Sequence, residues 1–424
     1  MNTNTVYVSF LFFFTFSTVL QLYLSVRQSR AVLAHRHEVP RDFAGTVSLE
    51  EHQKAADYTL AKQRLARYHV LFDAFLLLVF TLGGGLNLLA ALSMKFSDGP
   101  ITQGVLLIAL FVVVNNVLSL PFDWYATFKL EARFGFNRST VATFVVDNVK
   151  ALLLGAVIGV PLLYAAIYLM GVTGSLWWMW IWLLWLAFSF LLMWTFPKWI
   201  APVFNKFEPM PEGSLKIRIE SLLERTGFKS KGIFVMDGSK RSGHGNAYFT
   251  GLGDNKRIVF YDTLLQDMQP DEVEAVLAHE LGHFRRRHII KQMLVMLALA
   301  LVVLFILGQL MPEAAFYRGL GVVYPSHAMA LLLFLLVLPV FTFPFSPLRS
   351  LVSRRNEFEA DRFAAKTVSV KDLITALTKL YRSNAATLVS DRWYSCFYDS
   401  HPNARERIAA LRALEKNQNH DKSP

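Results

Sequence analysis

The sequence predicts an α-helical polytopic membrane protein with seven transmembrane helices and an α+β region that carries a small β-sheet. Of the 424 residues, 54% are hydrophobic and only 18% are charged, which is typical of integral membrane proteins. Seven apolar stretches are long enough to cross a bilayer as helices. Between the fifth and sixth stretches, from Pro197 to Arg287, the composition changes to that of a soluble protein.

Each predicted span has roughly 20 residues, the length that a bilayer requires. Gly83, Gly84 and Gly85 interrupt the second span, and a polar loop is expected between the first span and about Arg67. The first stretch lacks a basic n-region and a cleavage site, so we expect a retained helix and not a signal peptide. The spans are expected at about 6–26, 68–94, 104–124, 151–172, 176–196, 289–310 and 328–345.

Basic residues favour alternate loops, which predicts the orientation of the chain in the membrane. The loop after span one carries eight Lys or Arg, whereas the loops after spans two and six carry only Lys95 and Arg318, and the loop after span four carries none. The N-terminus is therefore expected outside and the soluble segment in the cytoplasm. These loops explain the formal charge of +11, and no nucleic-acid-binding module is legible, so the expected partner is the lipid bilayer and not a nucleic acid.

The soluble segment is expected to form a helix and three strands ahead of a second helix. The first helix covers about 213–226, and the strands lie near 232–236, 247–250 and 257–261. Pro270 suits the first turn of the second helix, which is expected to run straight into span six. Residues 349–424 are polar and are expected to be mostly helical, with a disordered tail from about Asn417.

The second helix carries the sequence VLAHELGHFRR, residues 276–286. His279 and His283 lie four residues apart, so both imidazoles face one side of a helix and can hold one metal ion, with Glu280 beside them. This is the H-E-x-x-H signature of zinc proteases. The alternative is a core or solvated helix that carries two histidines by chance. The single cysteine, Cys396, excludes a cysteine-based zinc site.

A catalytic zinc ion needs a third protein ligand. His288, at i+5 from His283, would point to a different face of a continuous helix. Glu357 and Asp361 lie one turn apart on a predicted helix, so Glu357 can bind the metal while Asp361 orients a ligating histidine through its other ring nitrogen. The alternative is a charged surface helix on which Glu359 is one more solvated acid.

Two histidines and one glutamate around zinc predict peptide hydrolysis. Zinc would acidify a water molecule and polarise the scissile carbonyl, and Glu280 would take the proton of the water and pass it to the leaving amine. His401 and Arg407 are candidates for a second group that stabilises the oxyanion or holds the substrate. The alternative is a loop histidine and an arginine on a helix surface.

Residues 246–249 are expected to form a strand close to this site. An exposed edge there would bind an extended peptide by strand addition. The alternative is an interior hairpin strand. The candidate substrate-binding residues are Asn246, Ala247, Tyr248 and Phe249.

These features divide the chain into three expected units. Residues 1–196 form a membrane domain with five spans, residues 197–416 form a zinc metallopeptidase domain that includes spans six and seven, and residues 417–424 form a polar tail.

Several longer motifs resemble those of the type I CAAX prenyl protease family of seven-span membrane zinc endopeptidases. The resemblance covers nearly the whole chain. It rests on PFDWYATFKLEARFGFNRST ahead of span four, FPKWIAPVFNKF (196–207), NAYFTGL (246–252), NKRIVFYDTLL (255–265), HELGH (279–283), NEFEAD (356–361) and HPNARERI (401–408).

The resemblance implies a barrel of seven tilted helices around a large water-filled chamber, with a zincin-type catalytic region whose site faces the chamber near the cytoplasmic side. Eukaryotic members remove the last three residues of prenylated proteins that end in CaaX, so the expected substrate is a peptide or protein, lipidated at its C-terminus in that case. The implied residues are the zinc ligands His279, His283 and Glu357, the base Glu280, the substrate-aligning Asn246, and His401 and Arg407 as substrate or transition-state contacts.

The chain departs from the eukaryotic pattern in its compactness. Its outer loops are short, the catalytic region has no long insertion, and the final KSP carries no evident retrieval signal. These features favour the inner membrane of a bacterium over the endoplasmic reticulum. Prenylation of CaaX proteins is not expected in a bacterium, so the fold and chemistry transfer more readily than the lipidated substrate.

Two other functions are less consistent with the sequence. A quality-control protease of the HtpX kind shares the H-E-x-x-H motif and the downstream glutamate, but usually lacks the five spans of the N-terminal half. A transporter or channel with a vestigial metal site would not need an intact Glu280, and the sequence shows no inverted repeat.

Overall fold

Long apolar helices make up most of the fold, which is described by a computed structural model over residues 2–251 and 256–420. Within these residues, six helices are long and apolar enough to cross a membrane, or seven if the bent pair α2 and α3 is one span. The expected polytopic helical fold is therefore confirmed. The helices of the N-terminal half are α1 Thr3–Ala34, α2 Leu49–Phe80, α3 Gly85–Phe96, α4 Pro100–Tyr125, α5 Ala132–Phe134, α6 Val141–Val172, α7 Trp177–Thr195 and α8 Ala201–Phe204, with π-helical turns at Ala126–Glu131 and Phe196–Ile200.

The three glycines predicted to interrupt span two mark the bend between α2 and α3. The two helices meet at 56°. Gly84 has φ +79°, a left-handed conformation that glycine adopts without steric cost. A Cβ on Gly83 would lie 2.8 Å from the Val79 carbonyl oxygen, so the turn is too tight for a side chain at that position.

The expectation of a polar loop up to Arg67 is wrong. Helix α1 continues to Ala34 and α2 already begins at Leu49, so the connection between them is much shorter. Ser48 and Glu51 form a capping box at the start of α2. Most of the basic residues that suggested a loop belong to α1 or α2, which extend beyond the apolar stretches. The fourth span is also longer than expected, since α6 begins at Val141.

In the described part of the chain, four strands form one mixed sheet in the order β1-β2-β4-β3. The three predicted strands are confirmed as β2 Ile233–Met236, β3 Ala247–Thr250 and β4 Arg257–Tyr261, while the three-residue β1 Phe207–Pro209 was missed. Strands β2 and β4 pair in parallel, and the outer pairs are antiparallel. Strand β3 is therefore an edge strand, not the interior strand of the alternative.

In the described part of the C-terminal half, ten further α-helices follow. The predicted helix at 213–226 is confirmed as α9. The tail that was expected to be disordered from Asn417 is helical to His420, and residues 421–424 lie outside the described residues. The helices are α9 Ser214–Thr226, α10 Asp262–Asp267, α11 Pro270–Arg285, α12 His288–Leu310, α13 Ala314–Gly319, α14 His327–Thr342, α15 Ser346–Thr367, α16 Val370–Ser383, α17 Arg392–Tyr398 and α18 Ala404–His420.

The helix that carries H-E-x-x-H does not run straight into span six, which corrects the expectation. Helix α11 ends at Arg285, and Arg287 takes a left-handed conformation with φ +56° before α12 begins. Span seven behaves differently, because α14 continues through a 3-10 turn, Phe343–Phe345, into α15. The predicted ligand Glu357 therefore stands on the extension of a membrane helix.

Helices α11 and α15 touch at their backbones. A Cβ built on Gly282 would lie 2.8 Å from the Ala360 Cα and 2.9 Å from its carbonyl oxygen. Ala360 is fully buried at this contact, and Leu281 of α11 lies in the core beside it. The glycine thus permits the close approach that brings residues of α11 and α15 together.

We expect Gly282→Ala to lower the free energy of unfolding by about 1–3 kcal/mol, because the added methyl group must push α15 away from α11. The same shift should weaken metal binding by moving Glu357. Thermal unfolding of the purified chain and its metal content measure both effects. The matched control is Gly159→Ala on α6, where nothing lies within 4 Å of the added Cβ; equal effects of the two substitutions would contradict the close-packing explanation.

Candidate metal centre

Three side chains predicted as ligands meet between α11 and α15. The Nε2 atoms of His279 and His283 lie 3.2 Å apart. The carboxylate of Glu357 completes the group, with Oε2 at 3.4 Å from His279 Nε2 and Oε1 at 3.2 Å from His283 Nε2. The structure therefore brings together two histidines of one helix and an acid that follows His283 by 74 residues in the sequence.

The spacing of these atoms fits a metal ion. Ligands at the usual zinc distances occupy corners of a tetrahedron whose edges are about 3.3–3.4 Å. His279 and Glu357 are buried, and imidazole nitrogens of His279, His283 and His401 lie 2.7–3.4 Å from the oxygens of Glu357. A buried carboxylate is costly unless cations or hydrogen bonds surround it, and a metal ion held by these groups would lower this cost further.

Behind His279 lies a buried ion pair between Asp361 and Arg407. Asp361 Oδ1 lies 2.8 Å from His279 Nδ1, which holds the ring with Nε2 facing the other ligands. Arg407 donates to both oxygens of Asp361, at 2.7 and 2.9 Å, and its NH1 lies 3.6 Å from Glu357 Oε2. Arg407 is buried, so the alternative of an arginine on a helix surface is wrong.

Behind His283 lies a contact that the sequence did not predict. His288 Nδ1 lies 3.0 Å from His283 Nδ1, and its Nε2 lies 3.3 Å from Glu359 Oε2. The expectation that His288 faces away from His283 is wrong, because the helix breaks at Arg287 and the spacing rule for a continuous helix does not apply. The alternative in which Glu359 is one more solvated acid is also wrong, because its Oε2 contacts His288.

The remaining candidates border the metal-ligand cluster. Glu280 follows His279 on α11, is half-buried, and has no ion pair or side-chain hydrogen bond among the residues that the structure describes. His401 precedes α18, and its Nδ1 lies 2.7 Å from Glu357 Oε2. The His401 side chain is 60% exposed, so it lines an open side of the site.

Strand β3 packs against α11, and among the described residues no strand pairs with its outer edge. The Tyr261 N–H donates to the Asn246 carbonyl at 2.9 Å, and in an antiparallel ladder every second residue bonds to the partner strand. Ala247 and Phe249 therefore direct their backbone groups to the other edge. Asn246 Oδ1 accepts the Ala247 N–H at 2.8 Å there.

Comparison with known proteins connects this geometry with an enzyme family. Residues 28–206 match a family model described as CAAX prenyl protease N-terminal, five membrane helices, and residues 209–415 match peptidase family M48. A CAAX prenyl protease 1 homolog of Oryza sativa subsp. japonica is 33% identical, and the alignment covers 93% of this chain and 94% of the relative. The chain belongs to peptidase family M48.

Other relatives of this M48 peptidase also match it over nearly the whole chain. The CAAX prenyl protease 1 homolog of Homo sapiens is 32% identical, with 93% of each chain covered. The crystal structure of S. mikatae Ste24p superposes with a TM-score of 0.90 at 30% sequence identity, covering 97% of this chain and 99% of that one. The resemblance seen in the sequence motifs is thereby confirmed.

The family assignment establishes the general activity. The protein is a multi-pass integral membrane metalloendopeptidase, similar to CAAX prenyl protease 1 enzymes, and it acts on peptide or protein substrates. The match of residues 28–206 to the five-helix model disfavours the HtpX-like alternative, which usually lacks those spans. Membership of a metallopeptidase family also implies a metal ion, and the ligand cluster described above fits one.

We expect the apparent metal affinity of the metal-free M48 peptidase to rise about tenfold per pH unit between pH 7 and 9. Burial opposes a charge on His279, but its hydrogen bonds to Asp361 and Glu357 outweigh burial and raise the pKa of the imidazole to about 9. Below that pH the metal must displace a proton, and above it the proton is already gone. Competition with a chelating dye at several pH values measures the slope; an affinity that is constant across this range would contradict the prediction.

Proposed function

We propose that the protein is a zinc endopeptidase that cuts peptide bonds near the C-terminus of its substrate proteins. The observation that carries the proposal is the cluster of His279, His283 and Glu357, whose spacing fits the tetrahedral coordination of zinc. Two histidines and one glutamate form a ligand set typical of catalytic zinc in proteases, and leave one position of the tetrahedron for water or substrate.

In this proposal Glu280 is the general base. Zinc at this site would acidify a water molecule and polarise the scissile carbonyl. Glu280 would accept the proton of that water and deliver it to the leaving amine. Its half-buried carboxylate is free for this task, since no described residue holds it in a hydrogen bond or ion pair.

His401 and Arg407 have different roles in this proposal. His401 is exposed beside Glu357, so its ring can reach a substrate and stabilise the developing oxyanion. Arg407 is buried and donates to Asp361, so we assign it to holding His279 through Asp361, while its NH1 lies 3.6 Å from Glu357 Oε2 and balances the charge of that ligand. Asp361 orients His279 as a ligand.

The unpaired edge of β3 is proposed as the substrate platform. A peptide laid antiparallel or parallel to residues 247–249 would bond to the outward backbone groups of Ala247 and Phe249. Asn246 now occupies the first of these groups and would have to release the Ala247 N–H or bond to the substrate directly. Tyr248 directs its backbone groups to Val259 of β4, so its part would be to hold Ala247 and Phe249 at the free edge.

The setting of the reaction follows from the membrane topology. We propose that the catalytic region lies on the cytoplasmic side, because the basic loops lie at that end of the spans. The compact loops favour a bacterial inner membrane over the endoplasmic reticulum.

We also propose three units: a membrane domain at 1–196, a peptidase domain at 197–416 and a polar tail at 417–424. The proposed partner is the lipid bilayer, and no nucleic acid is expected to bind.

The substrate class is proposed from the relatives, which are named CAAX prenyl proteases. We propose a substrate with a cleavable C-terminal tripeptide, and the role of a prenyl group on it is a question for the assay. The alternative of a transporter or channel requires no proteolysis. The intact Glu280 favours the enzyme, because only peptide hydrolysis needs a general base at this position.

Replacement Glu280→Gln should lower the cleavage rate by a factor of about 10²–10⁴, because the amide cannot accept a proton. Zinc content should be unchanged, since Glu280 is not a ligand. The assay uses a farnesylated CaaX peptide, the same peptide without the lipid, and unfolded casein, each with and without a chelator. Glu406→Gln on the exposed start of α18 is the control for loss of one carboxylate.

The proposal fails if zinc-loaded wild-type protein cuts none of the three substrates, or if the Gln variant is as active as wild type. Cleavage of casein alone would favour a quality-control protease. Faster cleavage of the farnesylated peptide than of its unlipidated form would show that the lipid is recognised.

A further inference from the structure

A second cavity lies between α2 and the end of α4, outside the metal centre. Its volume is about 830 Å³. Leu60, Leu65, Pro121 and Phe122 form apolar walls. The basic side chains that line it are Arg64, Arg67, Lys129 and Arg133.

Three of these basic residues, Arg64, Arg67 and Lys129, have no acidic partner among the described residues, while the charge of Arg133 acts on Asp57. Among the described residues, Arg64 and Lys129 make no ion pair or side-chain hydrogen bond, and Arg67 donates only to the hydroxyls of Ser25 and Ser29. The acid in the lining, Asp57, is already held through both oxygens by Arg36, at 2.7 and 2.8 Å. The cavity therefore has an excess of positive charge that an anion would neutralise.

The cavity lies on a different face of α2 from the contacts that lead toward strand β3. Tyr58 of α2 donates to Glu131, which lies beside His244 on the side of strand β3, and Lys62 lies over the Tyr58 ring. Arg64 is about 200° further round the helix than Lys62. Tyr68 and Tyr125 also line the cavity, and tyrosine favours the boundary between lipid and water.

We propose that this cavity binds the headgroup of an anionic phospholipid. The phosphate would bond to Arg64 and Lys129, and the upper acyl chains would lie along Pro121 and Phe122. Basic pockets between membrane helices on the cytoplasmic side bind acidic headgroups in this way. The apolar walls favour a lipid over free phosphate, because free phosphate has no apolar part that could pack against them.

The test measures lipid binding to the full-length protein in detergent by native mass spectrometry and by the Tm shift. Phosphatidylglycerol should bind the wild-type chain more tightly than phosphatidylcholine. The double variant Arg64→Ala/Lys129→Ala should bind phosphatidylglycerol about 30-fold more weakly, at roughly a factor of five for each basic residue. The matched control is Lys95→Ala/Arg318→Ala, which removes two exposed basic residues elsewhere.

A charge-conserving variant, Arg64→Lys/Lys129→Arg, should retain binding and shows that any loss is not misfolding. The proposal is overturned if the Ala double variant binds phosphatidylglycerol as tightly as wild type, if the control pair loses as much, or if inorganic phosphate displaces the lipid at equal concentration.

A different observation carries a second inference, which rests on the proposed zinc centre. His288 is buried and joins His283 to Glu359 through its two ring nitrogens. If His283 offers Nε2 to the metal, its Nδ1 carries the proton and donates to Nδ1 of His288. His288 then carries its own proton on Nε2 and donates to Glu359, so every contact pairs one donor with one acceptor.

We infer that His288 and Glu359 are positioning residues for His283, as Asp361 is for His279. The break at Arg287 makes this possible. On a continuous helix His288 would lie about 140° away from His283. The left-handed residue turns the chain so that the first residue of α12 faces back toward α11.

His288→Phe keeps a ring of similar size but removes both nitrogens, and should weaken zinc binding about 10- to 100-fold. His288→Asn keeps an acceptor near the position of Nδ1 for His283 but does not reach Glu359, and should bind zinc more tightly than His288→Phe. Zinc affinity is measured by competition with a chelating dye, with Asp361→Asn as a reference and Glu406→Gln as the control. The Tm of each metal-free variant is measured beside it.

Failure of wild-type protein to bind zinc would refute the proposed function. If wild type binds zinc and His288→Phe binds it equally well, the positioning role is refuted while the proposed function stands. A Tm loss in metal-free His288→Phe as large as that in the zinc-loaded form would assign His288 to the fold alone and also overturn the inference.

Discussion

The structure depends on one buried carboxylate, that of Glu357, held against two histidines of another helix. A carboxylate in the interior is costly unless cations or hydrogen bonds surround it. Here the two imidazoles and Arg407 lie within 3.6 Å of its oxygens. Because Glu357 extends span seven and the histidines immediately precede span six, the metal centre joins two membrane helices and requires their correct assembly.

The close contact of α11 and α15 makes this meeting possible. Gly282 removes the side chain at the crossing, and Ala360 supplies the smallest partner that still fills it. On one side of the crossing, Asp361 and Arg407 hold His279, and Arg407 brings α18 into the same network. A single ionic network therefore ties the last helix of the chain to the metal ligands.

The membrane half is connected to the catalytic strand through His244. Its Nδ1 lies 3.1 Å from Oδ1 of Asn384, which caps the end of α16, and its Nε2 lies 3.4 Å from Glu131, which also accepts the hydroxyl of Tyr58 on α2. His244 stands three residues before Ala247, where β3 begins. The position of the proposed substrate edge thus depends on helices of the N-terminal half, which is consistent with relatives that match over nearly their whole length.

The sequence by itself determined the membrane helices, the H-E-x-x-H helix and the family resemblance, because hydropathy, helical spacing and local motifs are properties of neighbouring residues. It also indicated Glu357, since Glu357 and Asp361 lie four residues apart and such a pair on one helix is recognisable from neighbouring residues alone. Only the tertiary structure decided that Arg407 is buried and that His288 contacts His283. Both depend on how separate helices meet, and the break at Arg287 places a non-glycine residue in a left-handed conformation that propensity disfavours.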